Sequence, residues 1–153
     1  MSIVVVGLSH KSAPIEVREK LYFPEDTLPD ALRKLLSYEG IREGLIVSTC
    51  NRVEIYASVK DAGEGTESIK RFITDHHGLS RSDLDQSLYV YAEAEGVRHV
   101  FRVASSLDSL VVGEPQILGQ LKSAFTIARE RGALGAETVS QTFADLREEG
   151  GRK

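Results

Sequence analysis

Cys50 is the chain's single cysteine, and the residues around it are suited to chemistry. Apolar Leu45-Ile46-Val47 leads toward it, and Asn51 and Arg52 follow it in place of more core. A cationic neighbour lowers a thiol's pKa and raises the fraction of thiolate, the nucleophilic species. The competing reading is a small buried hydrophobe, and spacing alone leaves both open. A second candidate is Ser109 to Gln120, where Gly113-Glu114-Pro115-Gln116 sets a carboxylate, an amide and a helix N-terminus between two helical patterns. Such a junction can hold a polar ligand through side chains and free N–H groups. It suits equally an ordinary helix break in which Glu114 caps and Pro115 takes the first turn. His99 is available as an acid or base near neutral pH, or is a boundary residue on a helix flank. The adjacent His76 and His77 diverge by about 100° on a helix and are poorly placed to share a metal. Ser9-His10-Lys11 fits an anion-binding loop or a solvated turn.

The elements that must position these groups alternate. Ile3-Val4-Val5-Val6, closed by Gly7, predicts a buried strand. After a loop at His10 to Pro14, Leu28, Leu32, Leu35 and Leu36 predict a helix, with Pro29 in its first turn and Gly40 suited to its end. Leu45-Ile46-Val47 resumes strand character. Val53, Ile55, Ala57 and Val59 alternate with Glu54, Tyr56 and Ser58, the period of a half-buried strand. Asp61 to Thr66, with two glycines, reads as a loop; Ile69, Phe72 and Ile73 mark a helix that stops at Gly78. Leu88 to Tyr91 supplies another strand. Val97, Val100, Phe101, Ala104 and Leu107 or Val111 form one helical stripe, with His99 off it. A further amphipathic helix runs through Ile117, Leu118, Leu121, Ala124, Phe125 and Ala128. The expectation is an α+β fold: a sandwich of helices on a mixed or antiparallel sheet of about four strands, with a helical C-terminal part. Residues 1–143 form the domain, and 144–153 are a frayed polar tail.

Composition narrows the function. The 153 residues are 41% hydrophobic, enough for one sizeable core. Nineteen basic and 23 acidic residues, net charge −4, are interleaved, which argues against a charge-driven nucleic-acid binder and confines any RNA contact to a local patch. A lone cysteine makes no intramolecular disulfide, and Met1 to His10 lack a secretory leader, so the cytosol is the expected compartment. Apolar runs are too short to span a bilayer, and no Cys/His cluster has metal spacing. No G-x-G-x-x-G, P-loop or G-x-S-x-G occurs, so dinucleotide binding, nucleotide hydrolysis and standard serine hydrolysis lack support.

Three blocks carry a resemblance. Gly7-Leu8-Ser9-His10-Lys11-Ser12-Ala13-Pro14, Ser48-Thr49-Cys50-Asn51-Arg52-Val53-Glu54-Ile55-Tyr56 and the run from Ser105 through Val112-Gly113-Glu114-Pro115-Gln116 to Gln120 closely resemble the glutamyl-tRNA reductase family, over about Ile3 to Gly132. The resemblance implies a reductase that converts the activated glutamate of glutamyl-tRNA to glutamate-1-semialdehyde with NADPH, the entry step of tetrapyrrole synthesis. It makes Cys50 the nucleophile and His99 a residue important for activity. It sets Thr49, Asn51 and Arg52, and Ser109, Glu114, Pro115, Gln116 and Gln120, around the substrate.

The chemistry is coherent: a thiolate can displace the tRNA hydroxyl from an aminoacyl ester, and the resulting thioester is easier to reduce by hydride. From charge, Arg52 would take the substrate's side-chain carboxylate, Glu114 its α-ammonium, and His99 would shuttle the ribose proton. The resemblance further implies a homodimer in full-length members, a long spinal helix, an NADPH-binding domain and a dimerisation domain after this one, and no metal. None of those later parts is expected in this chain. Glutamate-1-semialdehyde aminomutase is a candidate partner. The alternative is a truncated, non-catalytic module that binds charged tRNA or a partner protein.

Overall fold

The computed structural model describes residues 1–105 and 116–151, and for 116, 118 and 147–151 the backbone alone. Four strands, β1 (Ser2–Ser9), β2 (Ile41–Ser48), β3 (Arg52–Val59) and β4 (Tyr89–Ala92), form one sheet in the order β2-β3-β1-β4. Each pairing is antiparallel. The helices are α1 (Ile15–Leu21), α2 (Leu28–Leu36), α3 (Ala62–His77), α4 (Arg81–Asp85), α5 (Ala94–Ala104), α6 (Gln116–Glu130) and α7 (Thr138–Gly151). The α+β expectation holds, and the sheet is antiparallel throughout.

The helices cover both faces of the sheet, so the expected half-buried β3 is a misreading. Every residue from Arg52 to Val59 is buried. Two residues apart along a strand means the same face, and β3 divides cleanly. Val59 lies against Gly65 of α3, whereas Glu54 meets His99 of α5 and Tyr56 meets Phe143 of α7. Alternation in sequence therefore separates an apolar buried face from a polar buried face, not core from solvent.

The predicted loop at Asp61 to Thr66 is the first turn and a half of α3. Asp61 accepts from the Glu64 N–H at 2.9 Å, the N-cap interaction that frees a helix start from unsatisfied donors. Gly65 is there for proximity: a Cβ on it would come within 2.5 Å of the Val59 side chain. Gly78 ends α3 with φ 65°, as expected, and α2 opens on Pro29 as expected. The stripe of α5 is rotated from the prediction: Gly96, His99, Val100 and Val103 are its buried residues, so His99 faces the interior. The segment taken for a frayed tail is helical through Gly151.

Candidate functional site

A short reversal joins β2 to β3, and Thr49 builds it. Its hydroxyl accepts from the backbone N–H groups of Asn51 and Arg52, both at 3.1 Å, and its own N–H donates to the Arg52 carbonyl at 2.8 Å. Threonine favours such local side-chain to backbone turns. Cys50 sits at the apex and is exposed, which removes the buried-hydrophobe reading. The turn is tied down from outside as well: the His10 N–H donates to the Asn51 carbonyl at 2.9 Å, and Arg18 of α1 reaches the Cys50 carbonyl at 3.4 Å. Arg18, which the sequence did not single out, is thus a cation in contact with the thiol's own residue.

Arg52, expected beside the thiol, points inward and is 1% exposed. Its guanidinium lies 3.4 Å from the carboxylate of Glu54, itself fully buried. Glu54 is the centre of a polar cluster. It accepts from Tyr56 at 2.7 Å and from Tyr89 at 2.6 Å, and it makes a close contact with Nε2 of His99. Burial alone would raise the Glu54 pKa, but the hydrogen bond and charge of His99, then Arg52 and Tyr89, outweigh it and hold the carboxyl below its ordinary range. Burial and the neighbouring Glu54 charge push the Tyr56 phenol well up, so it stays a donor.

An ionised carboxylate only accepts. The His99 Nε2 that faces Glu54 therefore carries a proton, and the other ring nitrogen, Nδ1, is buried and has no hydrogen-bond partner among the described residues. Tyr91 stacks on the ring, centroids 4.5 Å apart at 21°. With His99 2% exposed, the boundary reading falls.

The space for Glu54 comes from Gly7, its partner in the β1–β3 register. A Cβ there would lie 2.4 Å from the Val53 carbonyl and 2.8 Å from Glu54 Cγ. Sequence reasoning placed Glu54 and Tyr56 on a solvent face and missed both; two opposite charges, Arg52 and Glu54, at period two on one strand were the available signal.

Beside the turn runs an open groove of about 580 Å³, with Ser48 and Thr49 in its floor, Tyr22 and Leu28 on one wall and Gln120 and Ser123 of α6 on the other. It brings Thr49 and Gln120 together. Ser109, Glu114 and Pro115 lie outside the described residues, as does the side chain of Gln116. The His pair does not address the groove in concert: His76 stacks on Phe23, and His77 meets the same ring edge-on. Among the described residues no group of three or more His, Cys, Asp and Glu could hold a metal ion, and no helix is long and apolar enough to cross a membrane.

An exposed thiol at a strand-to-strand turn, a buried Arg–Glu–His cluster and an antiparallel sheet covered on both faces define an α+β domain. Residues 6–147 match the family model described as glutamyl-tRNAGlu reductase, N-terminal domain, and the chain belongs to that family. It is 58% identical over 130 residues to the glutamyl-tRNA reductase of Pelobacter propionicus, covering 85% of this chain and 30% of the relative. It is 50% identical over 137 residues to glutamyl-tRNA reductase 2 of Koribacter versatilis, covering 90% and 31%. Among solved structures, glutamyl-tRNA reductase from Methanopyrus kandleri superposes with TM-score 0.71 at 36% identity, covering 88% of this chain and 30% of that one. The chain thus spans about 30% of the length of such relatives.

Proposed function

We propose that this domain performs the acyl-transfer half of glutamyl-tRNA reduction. The Cys50 thiol gives up its proton and the thiolate attacks the carbonyl carbon of the aminoacyl ester; the S–C bond forms, the C–O bond to the terminal ribose breaks, and the ribose oxygen leaves with the proton that the thiol released. What supports the reading above all is the exposed Cys50 at the apex of a turn braced by Thr49, His10 and Arg18. His99 is the proposed proton carrier, working at Nδ1 because Glu54 occupies Nε2. Glu54 is then a positioning residue, fixing tautomer and ring. Arg52 is proposed to receive the substrate's side-chain carboxylate through its planar fork, with Glu54 holding the guanidinium, and Thr49, Asn51 and Gln120 to line the substrate's path. Ser109, Glu114, Pro115 and Gln116 complete the proposed substrate contacts, with Glu114 receiving the α-ammonium.

Reduction of the thioester to glutamate-1-semialdehyde, as the entry to tetrapyrrole synthesis, is proposed for the longer proteins. NADPH does not fit the residues here: every strand pairing is antiparallel, so the described residues contain no parallel strand–helix–strand unit with a phosphate-binding glycine loop. No hydride step is assigned to this chain. The expected behaviour of the chain alone is Cys50 acylation followed by slow hydrolysis, releasing glutamate.

The test is incubation of the purified chain with radiolabelled glutamyl-tRNA, with and without NADPH, followed by intact-mass analysis and separation of glutamate from semialdehyde. A glutamyl adduct on Cys50, absent in Cys50→Ser, is the expected result, with hydrolysis reduced at least about a hundredfold in the variant because a serine hydroxyl is scarcely ionised. Hydrolysis unchanged by Cys50→Ser would remove Cys50 from the mechanism. Tight tRNA binding without an adduct would favour a binding module.

A further inference from the structure

A second carboxylate, far in sequence from the cluster just described, is also buried. Glu43 of β2 is 1% exposed. It accepts from the Ser58 hydroxyl at 2.6 Å, from the backbone N–H groups of Gly135 at 2.6 Å, Val139 at 3.1 Å and Ser140 at 3.3 Å, and closely from the Ser140 hydroxyl. Ser58 widens the clamp by accepting from Val139 N–H at 2.9 Å and from the Thr138 hydroxyl at 2.8 Å. Apart from Ser58 of β3, the donors are the N-terminal turn of α7 and the residues that lead into it.

A helix start needs only a local Ser, Thr, Asp or Asn to satisfy its free N–H groups. Here the cap comes from a strand more than ninety residues away, and a buried charge carries a desolvation cost that a local hydroxyl would avoid. What a remote cap adds is orientation: it pins α7 to β2 and β3. The pinned helix turns Phe143 onto Tyr56, ring centroids 6.0 Å apart. Tyr56 donates to Glu54, and Glu54 holds His99. The path is contiguous and buried from end to end.

We propose that Glu43 is a positioning residue for the reaction: by clamping the start of α7 it seats Phe143 against Tyr56, and so sets the geometry in which Glu54 presents His99. The proposal rests on His99 acting in the acyl transfer, but its physical content, a coupling between Glu43 and the His99 ring, stands apart from that reading.

The experiment uses the whole chain, isotopically labelled, as wild type, Glu43→Gln, Phe143→Leu and the control Leu84→Ala, whose buried side chain lies on α4. His99 ring signals and their pH titration are followed by NMR alongside the acylation rate. In both Glu43→Gln and Phe143→Leu the His99 signals and titration midpoint shift, and Cys50 acylation at saturating glutamyl-tRNA slows by roughly three- to thirtyfold with KM little changed, a size typical of coupling through packed contacts. Leu84→Ala lowers the melting temperature and leaves His99 unmoved. An unaltered His99 titration in a folded Glu43→Gln overturns the proposal; if that variant does not fold, an unaltered titration in Phe143→Leu overturns it. Should the wild-type chain form no adduct, the acyl-transfer reading fails, while the His99 titration still decides the coupling.

Discussion

Glu43 and Glu54 lie on neighbouring strands of one sheet and are equally hidden from water, yet they are held by opposite kinds of partner. Glu54 is surrounded by charged or ionisable side chains: a permanently charged guanidinium, an imidazole and two phenols. Glu43 is surrounded by backbone N–H groups and hydroxyls, which do not titrate near neutral pH. Both carboxyls are held below their ordinary range against the opposing effect of burial: Glu43 by Ser140, Ser58 and Gly135, and Glu54 by His99, Arg52 and Tyr89. The lesson is that a low carboxyl pKa alone does not mark chemistry; the identity of the donors does. A charge held by other titratable groups can tune a proton transfer, whereas a charge held by fixed dipoles fixes a backbone.

The strongest way to break this comparison is to delete each carboxylate in turn. Glu54→Ala breaks a buried ion pair by removing the carboxylate that faces the Arg52 guanidinium, a loss expected to be about 3–5 kcal/mol, against a total domain stability of about 5–15 kcal/mol. Glu43→Ala leaves donors unsatisfied but no bare charge among the described residues, and is expected to cost about 1–3 kcal/mol. Urea unfolding of both variants measures the difference; equal losses would show that the partners do not matter as described. Gly7→Ala sharpens the same point from the neighbouring strand. Its methyl would intrude on Glu54 and the Val53 carbonyl, and overpacking of this kind costs about 1–3 kcal/mol. Because the intrusion is at Glu54, His99 should shift in the NMR spectrum of Gly7→Ala, and a shift confined to Glu43 and α7 would contradict it.

The smallest expected effect is in the pH dependence. A carboxyl whose folded pKa is depressed contributes stability that is present above its unfolded pKa and lost as pH falls through the folded one, so Glu43 and Glu54 give way only below about pH 4. His77 acts earlier. Burial, then the charge of His76, lowers it from 6.5 to about 4, partly opposed by its hydrogen bond to the Leu21 backbone. The fold prefers the neutral ring, so its contribution is complete above pH 6.5 and declines as pH drops from 6.5 toward about 4. Unfolding midpoints measured from pH 8 to pH 4 should fall less steeply in His77→Leu than in wild type across that window. Parallel profiles would place the first acid-sensitive group elsewhere.

Much of the molecule was legible before any coordinates. Proline and glycine punctuation located the start of α2 and the end of α3 because those residues restrict or release backbone dihedrals wherever they stand. The apolar approach to Thr49-Cys50-Asn51 predicted a thiol delivered to a turn, since strand-forming residues on both sides leave the polar ones to reverse the chain. These are local effects, and a sequence states local effects directly. What it could not state was the depth of burial on the second face of β3. Val53 and Glu54 alternate in the same way whether the Glu54 side meets water or α5 and α7, and only the packing of helices on both faces turned Arg52, Glu54, Tyr56 and Ser58 inward. The same packing converted Gly65 from a loop residue to a contact with Val59, turned His99 from a helix flank to a buried ring, and made Glu43 the cap of a helix that begins ninety-five positions later. Chain order fixed the kinds of groups available; which of them met, and so which charges were neutralised and which proton sites stayed open, depended on long-range contacts that no window of sequence contains.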